Sequence, residues 1–396
     1  MATPSAPVPG TAATPPPWLA PLLGVVAGLV LLGPGMGSGP LLNLDLVAPP
    51  ELRVPPGIWG LGPALTQRVP LGALEAWVGA LIGGPQAVKL LIVASVAAAF
   101  AGMERLARPA SPLVRYGAAL VYAVGPFTAT RVAVGHLNLL WAIAVLPWIL
   151  PTVLRPSRSV RRTLIALAVL GLGGTAAGVL GLLVTAIGLA CEERRRVGTV
   201  AGVAVVASLP WLLPNLVVLG LGASVGARDA FATDADGPLG LARLLAGGGF
   251  WVPANQVGGR GVGAVLAGVA ITAAAVAGRR MLPAPTRRAA VATAVVGLVL
   301  SAASSVPGLR AAWDAAAASS VGAPLREGLG WTGLARLRRM LDALTRATRY
   351  HGAWPHFLDG ATGRTIPMSP QDDAADLVET SFLVMGLLCA RRYFDD

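Results

Sequence analysis

The sequence predicts an all-α membrane protein: a polytopic helical bundle of about nine transmembrane spans, with a short soluble α-helical segment near its C-terminal end. Three observations support this class. Hydrophobic residues make up 55% of the 396-residue chain, whereas charged residues make up only 13%. A soluble domain carries about twice that share of charge, because charged side chains cover its surface. The mean hydropathy is +0.68, and several uncharged runs reach the roughly 20 residues that a membrane-spanning helix needs.

About nine apolar runs are the candidate spans, and three of them are short for a hydrocarbon core of about 30 Å. The short runs are 113–126, 163–176 and 177–191. The last two could instead form one long tilted helix, because the glycines between residues 171 and 178 interrupt it only weakly. The complete set of runs is 18–35, 86–103, 113–126, 137–154, 163–176, 177–191, 197–218, 259–278 and 288–305.

Two segments flank the first spans. Residues 1–17 are rich in Pro, Ala and Thr, which predicts a disordered tail and not a cleaved signal peptide. The membrane domain is then expected to cover residues 18–327. In the long loop after the first span, Leu71–Leu81 predicts a helix on the membrane surface, because its large apolar residues recur at helical spacing. These residues are Leu71, Leu74, Trp77, Val78 and Leu81.

Arginine clusters predict the orientation of the spans. If nine spans are correct, every cluster falls on one face, which the positive-inside rule makes cytoplasmic. The N-terminus is then cytoplasmic, and the loops 36–85, 127–136 and 219–258 and the C-terminal tail lie outside a cell membrane. One long helix over 163–191 would put two clusters on opposite faces, which favours nine spans. The clusters are Arg105, Arg108 and Arg115; Arg155, Arg158, Arg161 and Arg162; Arg194–Arg196; and Arg279, Arg280, Arg287 and Arg288.

Charge and cysteine content exclude several classes of function. The net charge of +12 comes from these end-of-span clusters, so it reflects membrane topology and no nucleic-acid partner is expected. The two cysteines, Cys191 and Cys389, are far apart in unlike contexts, which argues against a disulfide framework or a cysteine metal site. The sequence contains no phosphate-cradling loop with a lysine, no HExxH and no CxxC pair. No cofactor and no metal site are therefore expected.

Asp45 is the candidate catalytic base of the membrane domain. It is the first acid in the chain and lies between Leu44 and Leu46, ten residues after the first span. A carboxylate with apolar neighbours at the outer membrane surface is partly desolvated, which raises its pKa and suits it to accept a proton from a sugar hydroxyl. The alternative is an ordinary loop aspartate that caps the next segment or pairs with Arg53.

Arg131 and His136 are the candidate phosphate-binding residues in the second outer loop. An arginine at the rim of the bilayer can grip a lipid phosphate with its fork of donors. The alternative is an arginine that reaches to the lipid headgroups, with His136 as an interfacial residue.

The membrane domain resembles the GT-C superfamily of polytopic glycosyltransferases, in particular its actinobacterial members. The resemblance implies that Asp45 is the catalytic base, that the donor is a sugar on a polyprenyl phosphate, and that transfer to a glycan acceptor inverts the configuration. Asn43 stands where a second acid is often found, so a metal held by two carboxylates is not expected. The residues that carry the resemblance are Asn43-Leu-Asp45, Gln67-Arg-Val-Pro-Leu, Tyr122–His136, Leu209-Pro-Trp-Leu-Leu-Pro, Val306-Pro-Gly-Leu-Arg and Leu325-Arg-Glu.

The composition changes at Gly328–Leu334, after which the chain is polar, aromatic and acidic. Two helices are expected, at about 333–349 and 374–393, joined by a loop rich in glycine and proline. If the second helix starts near Asp372, then Asp372, Asp376 and Glu379 lie on one face. Trp354 and His356, with Tyr350 and Phe357, are suited to stack on a sugar ring. The alternative is an acidic first helical turn favoured by the helix dipole, with the aromatic residues as core.

Residues 334–396 resemble the bacterial glucoamylase-like family of (α/α) toroids, which includes β-glucan-cleaving enzymes. The resemblance implies that Asp372, Asp376 and Glu379, with Trp354 and His356, help to form a carbohydrate-binding cleft. It also implies only part of a toroid, so this segment alone is not expected to hydrolyse a glycan. The matching residues are Tyr350-His-Gly-Ala-Trp-Pro-His-Phe-Leu-Asp-Gly, Thr362-Gly-Arg-Thr-Ile-Pro, Asp376-Leu-Val-Glu-Thr-Ser-Phe-Leu and Arg391-Arg-Tyr-Phe.

Three functions are compatible with these features. The favoured one is a membrane glycosyltransferase that moves a sugar from a polyprenyl-phosphate donor to an acceptor outside the membrane. The second is a membrane-anchored glycoside hydrolase of the glucoamylase-like kind. The third is a membrane scaffold without enzymatic activity.

Overall fold

The computed structural model describes residues 15–39, 41–43, 46–48, 69–193, 195–219, 240–248, 256–258, 261–303, 310–311, 340–359, 362–367 and 375–395. The described chain is helical apart from short extended pairings, which confirms the all-α class. One antiparallel ribbon pairs β1 (Leu42–Asn43) with β2 (Leu46–Val47).

The helices alternate with short connections from the first span onward. Short 3₁₀ turns at Gly33–Met36, Pro156–Arg158 and Arg279–Met281 connect some of them. Residues 340–346 are also helical. The helices are α1 (Leu19–Leu32), α2 (Leu71–Ile82), α3 (Gly84–Leu106), α4 (Pro112–Val124), α5 (Pro126–Val134), α6 (Leu137–Val153), α7 (Val160–Gly171), α8 (Thr175–Cys191), α9 (Val197–Leu219), α10 (Gly240–Leu245), α11 (Gly261–Gly278), α12 (Ala284–Ala302) and α13 (Leu377–Asp395).

Among the described residues, 5 helical segments are long and apolar enough to cross a membrane. They are Leu19–Met36, Gly84–Leu106, Pro112–Val134, Val197–Pro214 and Gly261–Gly278. The nine predicted spans are therefore not confirmed. The predicted spans at 137–154 and 177–191 correspond to α6 and α8, which have 17 residues each and measure only about 26 Å at 1.5 Å per residue. The helices are compatible with membrane association.

The predicted pair of short spans at 163–191 folds as a helical hairpin, and the alternative of one long tilted helix is wrong. α7 ends at Gly171, and the chain reverses at Gly174, whose φ of 88° is a left-handed value that favours glycine. The other ends of α7 and α8 lie together, because the Ser157 backbone N–H donates to Glu192 Oε2 at 3.1 Å. α7 has 12 residues and is about 18 Å long, so it cannot cross a bilayer alone.

The predicted surface helix is confirmed as α2, with a different distribution of its apolar residues. Leu71 is buried, with Ala73, Ala76 and Gly79, against the protein. Trp77 and Leu81 are 60% and 84% exposed. The small residues thus face the protein, and the large ones form an exposed apolar face suited to a membrane interface.

The chain divides into two compact units. The first comprises Met1–Gly222 and Phe231–Ala316, and the second comprises Ala223–Ala230 and Ala317–Asp396. Their boundary and the predicted change of composition at 328–334 both lie outside the described residues. In the second unit, the expected helices correspond to residues 340–346 and to α13.

Candidate functional sites

α5 holds the predicted phosphate-binding residues at its C-terminal end. The helix starts after Gly125 with Pro126 in its first turn, and it ends at Gly135, whose φ is 84°. The His136 backbone N–H donates to the Arg131 carbonyl at 3.0 Å. This closing bond satisfies a carbonyl of the last turn, as helix C-caps with a left-handed glycine do. It also brings the two side chains to the same end of the helix.

Arg131 and His136 contact each other directly. Arg131 Nη1 lies 2.9 Å from His136 Nδ1. Because a guanidinium only donates hydrogen bonds, Nδ1 is the acceptor, and the neutral ring carries its proton on Nε2. The guanidinium also lies over the Phe127 ring, with Cζ 4.8 Å from the ring centroid. The structure thus brings the two residues together and fixes the orientation of the arginine; phosphate binding by them stays a prediction.

Segments from both long predicted outer loops pack on α5. A Cβ atom at Gly135 would overlap the backbone of Leu46 in β2. From the other loop, the Val257 backbone N–H donates to Thr130 Oγ1 at 3.0 Å. A Cβ at Gly247 would lie 3.2 Å from the Phe127 nitrogen. The loops therefore converge on the helix that carries Arg131.

Asp45, the predicted base, lies outside the described residues. Its sequence neighbour Leu46 is described, pairs with Asn43 across the ribbon and contacts Gly135. The described chain on the C-terminal side of Asp45 is therefore in contact with the residue that follows α5. No contact of the carboxylate itself is part of this observation.

Another motif of the GT-C resemblance has a packing role. Trp211, from Leu209-Pro-Trp-Leu-Leu-Pro, is only 4% exposed. Cβ atoms at Gly171 and Gly178 would both meet its indole ring. The tryptophan therefore fills a notch formed by glycines on both helices of the α7–α8 hairpin.

In the second unit, Asp376 is the N-cap of α13, and the predicted acidic stripe is wrong in this respect. α13 begins at Leu377, so Asp376 lies outside the helix and Glu379 is its third residue. Asp376 Oδ1 accepts from the backbone N–H groups of Val378 at 2.8 Å and Glu379 at 3.0 Å. An N-cap aspartate satisfies two amides that have no partner within the helix. Asp372 lies outside the described residues.

The second oxygen of Asp376 holds His356. His356 Nδ1 lies 2.8 Å from Asp376 Oδ2, and both side chains are about a third exposed, at 31% and 28%. The hydrogen bond from His356, followed by the amides of Glu379 and Val378, holds the pKa of Asp376 below its ordinary value. Asp376 is therefore an ionised group with its hydrogen bonds directed to the helix and to the histidine.

Trp354 is held by the protein on several sides. Its backbone N–H donates to Thr380 Oγ1 at 2.9 Å, and its indole N–H donates to the Leu344 carbonyl at 3.1 Å. The Arg349 guanidinium lies 5.2 Å from its ring centroid. The more exposed aromatic residues are Tyr350 at 61% and Phe357 at 47%. These two are better placed than Trp354 to stack on a sugar ring.

The Trp354 and Thr380 contacts could not be read from the sequence, because they join residues on opposite sides of the connecting loop. The local signal for the cap was present, since Asp-x-x-Glu before an apolar run is a helix-start pattern. Among the described residues, no group of three or more His, Cys, Asp and Glu side chains could hold a metal ion.

Comparison with known proteins gives one partial match. No protein-family model matches the chain, and no solved structure matches it. A stretch of 64 residues is 48% identical to an exo β-1,2-glucooligosaccharide sophorohydrolase (non-reducing end) of Parabacteroides distasonis. The match covers 16% of this chain and 9% of that protein, so the chain spans less than a tenth of the relative's length. The matched length is close to that of the segment 334–396.

Proposed function

We propose that the chain is a membrane-associated carbohydrate-active protein whose second unit binds a β-linked gluco-oligosaccharide. The observation that carries this proposal is the identity of 48% over 64 residues with the sophorohydrolase, a protein whose name specifies β-1,2-gluco-oligosaccharides. We assign the matched stretch to residues 334–396 because the length agrees and because the glucoamylase-like motifs lie there.

The geometry of the second unit supports this binding role. Phe357 is 47% exposed and meets the His356 ring edge-on at 4.4 Å between centroids. His356 is in turn held by Asp376, which is anchored at the start of α13. An exposed ring beside an oriented imidazole combines a stacking surface with a polar group, which is the combination that a sugar requires.

Isothermal titration of the full-length, detergent-solubilised protein with β-1,2-gluco-oligosaccharides tests the proposal, with β-1,4- and α-1,4-linked gluco-oligosaccharides as comparison ligands. The β-1,2 series is expected to bind most tightly. Phe357→Ala is expected to weaken binding about 3- to 10-fold, the range for loss of one aromatic contact. Phe382→Ala, which removes a ring that is 61% exposed on α13, is the matched control and should bind as the wild type does.

Absence of glucan binding by the folded wild-type protein would contradict this proposal. Release of shorter glucans during the titration would instead favour the hydrolase alternative, and it would overturn the expectation that the segment does not cleave its ligand.

A second function, sugar transfer by the first unit, is favoured by the convergence of both long loops on α5. We propose that Arg131 and His136 bind the phosphate of a polyprenyl-phosphate sugar. Asp45 would remove the proton from an acceptor hydroxyl, and that oxygen would attack the anomeric carbon as the bond to phosphate breaks with inversion. Arg131 would neutralise charge on the departing phosphate.

Transfer from a polyprenyl-phosphate sugar in reconstituted membranes tests the second function. Asp45→Asn is expected to abolish transfer while leaving membrane insertion intact, because it removes the base and keeps the size of the side chain. Arg131→Lys keeps the charge and removes the planar fork, so donor affinity should fall more than 10-fold, as the loss of a charge-assisted hydrogen bond predicts. Undiminished transfer by the Asn variant would exclude Asp45 as the base.

A further inference from the structure

Four arginine-bearing segments lie together at one end of the first unit. We call this region the arginine end: residues 104–115, 155–162, 192–196 and 279–288. The Ser157 hydroxyl accepts from the Arg196 backbone N–H at 3.1 Å, and Ser157 also bonds to Glu192. Arg288 Nη2 lies 3.2 Å from Glu193 Oε1. These contacts join the last three segments.

The first segment reaches the same end through α6. Arg105 Cζ lies 5.3 Å from the centroid of the Trp148 ring. Trp148 is in the last two turns of α6, which ends at Val153, directly before the second segment. The arrangement of all four segments therefore does not depend on the number of membrane spans.

The arginine end has a large excess of positive charge on its surface. Its described residues include thirteen arginines and three glutamates. Two of these glutamates, Glu104 and Glu192, are only 5% and 8% exposed, and they are used internally by Arg115 at 2.8 Å and by Ser157. The described arginines are Arg105, Arg108, Arg115, Arg155, Arg158, Arg161, Arg162, Arg195, Arg196, Arg279, Arg280, Arg287 and Arg288.

The positions of these arginines are unfavourable unless an anion is present. α4, α7 and α12 begin at this end, and none has an acidic residue in its first turn. Arg161 and Arg162 are the second and third residues of α7, and Arg287 and Arg288 are the fourth and fifth of α12. A helix N-terminus is itself partly positive, so arginines placed there repel it. A phosphate in front of both would reverse the sign of this interaction.

We propose that the arginine end binds the phosphates of anionic phospholipid headgroups. Large apolar side chains beside the arginines favour a lipid over a free anion or a nucleic acid. Leu113 and Val114, next to Arg115, are 85% and 57% exposed, and Trp148 is 42% exposed. A lipid satisfies both groups, because its chains cover the apolar residues while its phosphate meets the guanidinium groups.

The test uses the full-length protein and measures, by native mass spectrometry, how many phosphatidylglycerol and phosphatidylcholine molecules it retains from an equimolar mixture. The wild type is expected to retain phosphatidylglycerol preferentially, and less so as the salt concentration rises. Arg161→Gln/Arg162→Gln is expected to lower the ratio of the two lipids at least fivefold. Arg346→Gln/Arg364→Gln changes two exposed arginines of the second unit and should leave the ratio unchanged.

A second pair, Arg279→Gln/Arg280→Gln in the exposed link between α11 and α12, repeats the test if the first variant does not fold. Equal retention of the two lipids by the wild type would overturn the proposal, as would an equal loss of preference in the control variant. Displacement of phosphatidylglycerol by inorganic phosphate at millimolar concentration, or by RNA, would also contradict it, because either result would assign the site to an anion other than a lipid.

Discussion

His356 Nδ1 lies 2.8 Å from Asp376 Oδ2, and the other oxygen of the same carboxylate caps α13 through the amides of Val378 and Glu379. One side chain thus determines both where the helix starts and how the histidine is oriented. An ionised carboxylate only accepts hydrogen bonds, so the proton of this contact is on Nδ1. His136 has the opposite arrangement, because Arg131 donates to its Nδ1.

Nitrogen NMR should therefore detect the two tautomers in one spectrum. The chain has 3 histidines, so the signals can be assigned with single His→Gln variants of the ¹⁵N-histidine-labelled protein. At pH 8, His356 is expected to carry its proton on Nδ1 and His136 on Nε2. The Nε2-protonated form of His356 would contradict the contact with Asp376.

Asp376→Asn should separate the two roles of the carboxylate. The amide oxygen can still cap α13, whereas the amide nitrogen donates to His356 Nδ1 and moves the ring proton to Nε2. The melting temperature should therefore change little, while the NMR signal of His356 changes tautomer. Asp376→Ala, which removes the cap as well, should cost about 0.5–2 kcal/mol. If Asn and Ala variants lost equal stability, the cap would not be the reason.

Acid should release this contact only below the ordinary range of an aspartate. The pKa of Asp376 is lowered from 3.8 chiefly by the hydrogen bond to His356. A lowered folded-state pKa stabilises the protein above the unfolded value, and this contribution is lost as the pH falls through the folded value. In His356→Gln the titration midpoint of Asp376, followed by ¹³C NMR of its carboxyl group, should move up toward 3.8. An unchanged midpoint would exclude His356 as the main cause.

Thr130→Val should weaken the attachment of residues 256–258 to α5. Thr130 is 2% exposed, and its hydroxyl accepts from the Val257 backbone N–H at 3.0 Å. Its removal leaves that amide without this partner, which costs about 1–3 kcal/mol. Hydrogen exchange at Val257 should accelerate and the melting temperature should fall. Thr130→Ser keeps the hydroxyl and is the control; equal protection of Val257 in both variants would contradict the assignment.

Gly178→Ala should destabilise the first unit by forcing Trp211 out of its notch. The added methyl would overlap the indole ring, and overpacking of this kind costs about 1–3 kcal/mol. Gly202→Ala in α9 is the matched control, because no atom lies within 4 Å of the position of its Cβ. The control should be neutral or stabilising by about 0.5–1 kcal/mol, since alanine favours helix. Thermal unfolding in detergent measures both, and a destabilised control would show that the notch is not the cause.

The sequence predicted features that depend on neighbouring residues only. Hydropathy indicated the all-α class, and helical spacing located α2 to within one residue and α13 to within about three. The start of α13 was misplaced because Asp372, Asp376 and Glu379 have compatible helical spacing, and spacing alone does not show which acid is the cap. The contacts of Trp354 with Thr380 and of His356 with Asp376 end the preceding loop at Asp376.

The sequence by itself thus determined an apolar, helical, arginine-flanked chain with a distinct polar segment after residue 334, because composition and periodicity are local properties. Only the tertiary structure decided that α7 and α8 form a hairpin, that Arg131 and His136 meet at the end of α5, and that both long loops pack there. These relationships depend on contacts between residues far apart in sequence, such as Ser157 with Glu192 and Thr130 with Val257. Their energies come from packing and hydrogen bonds that no local pattern encodes.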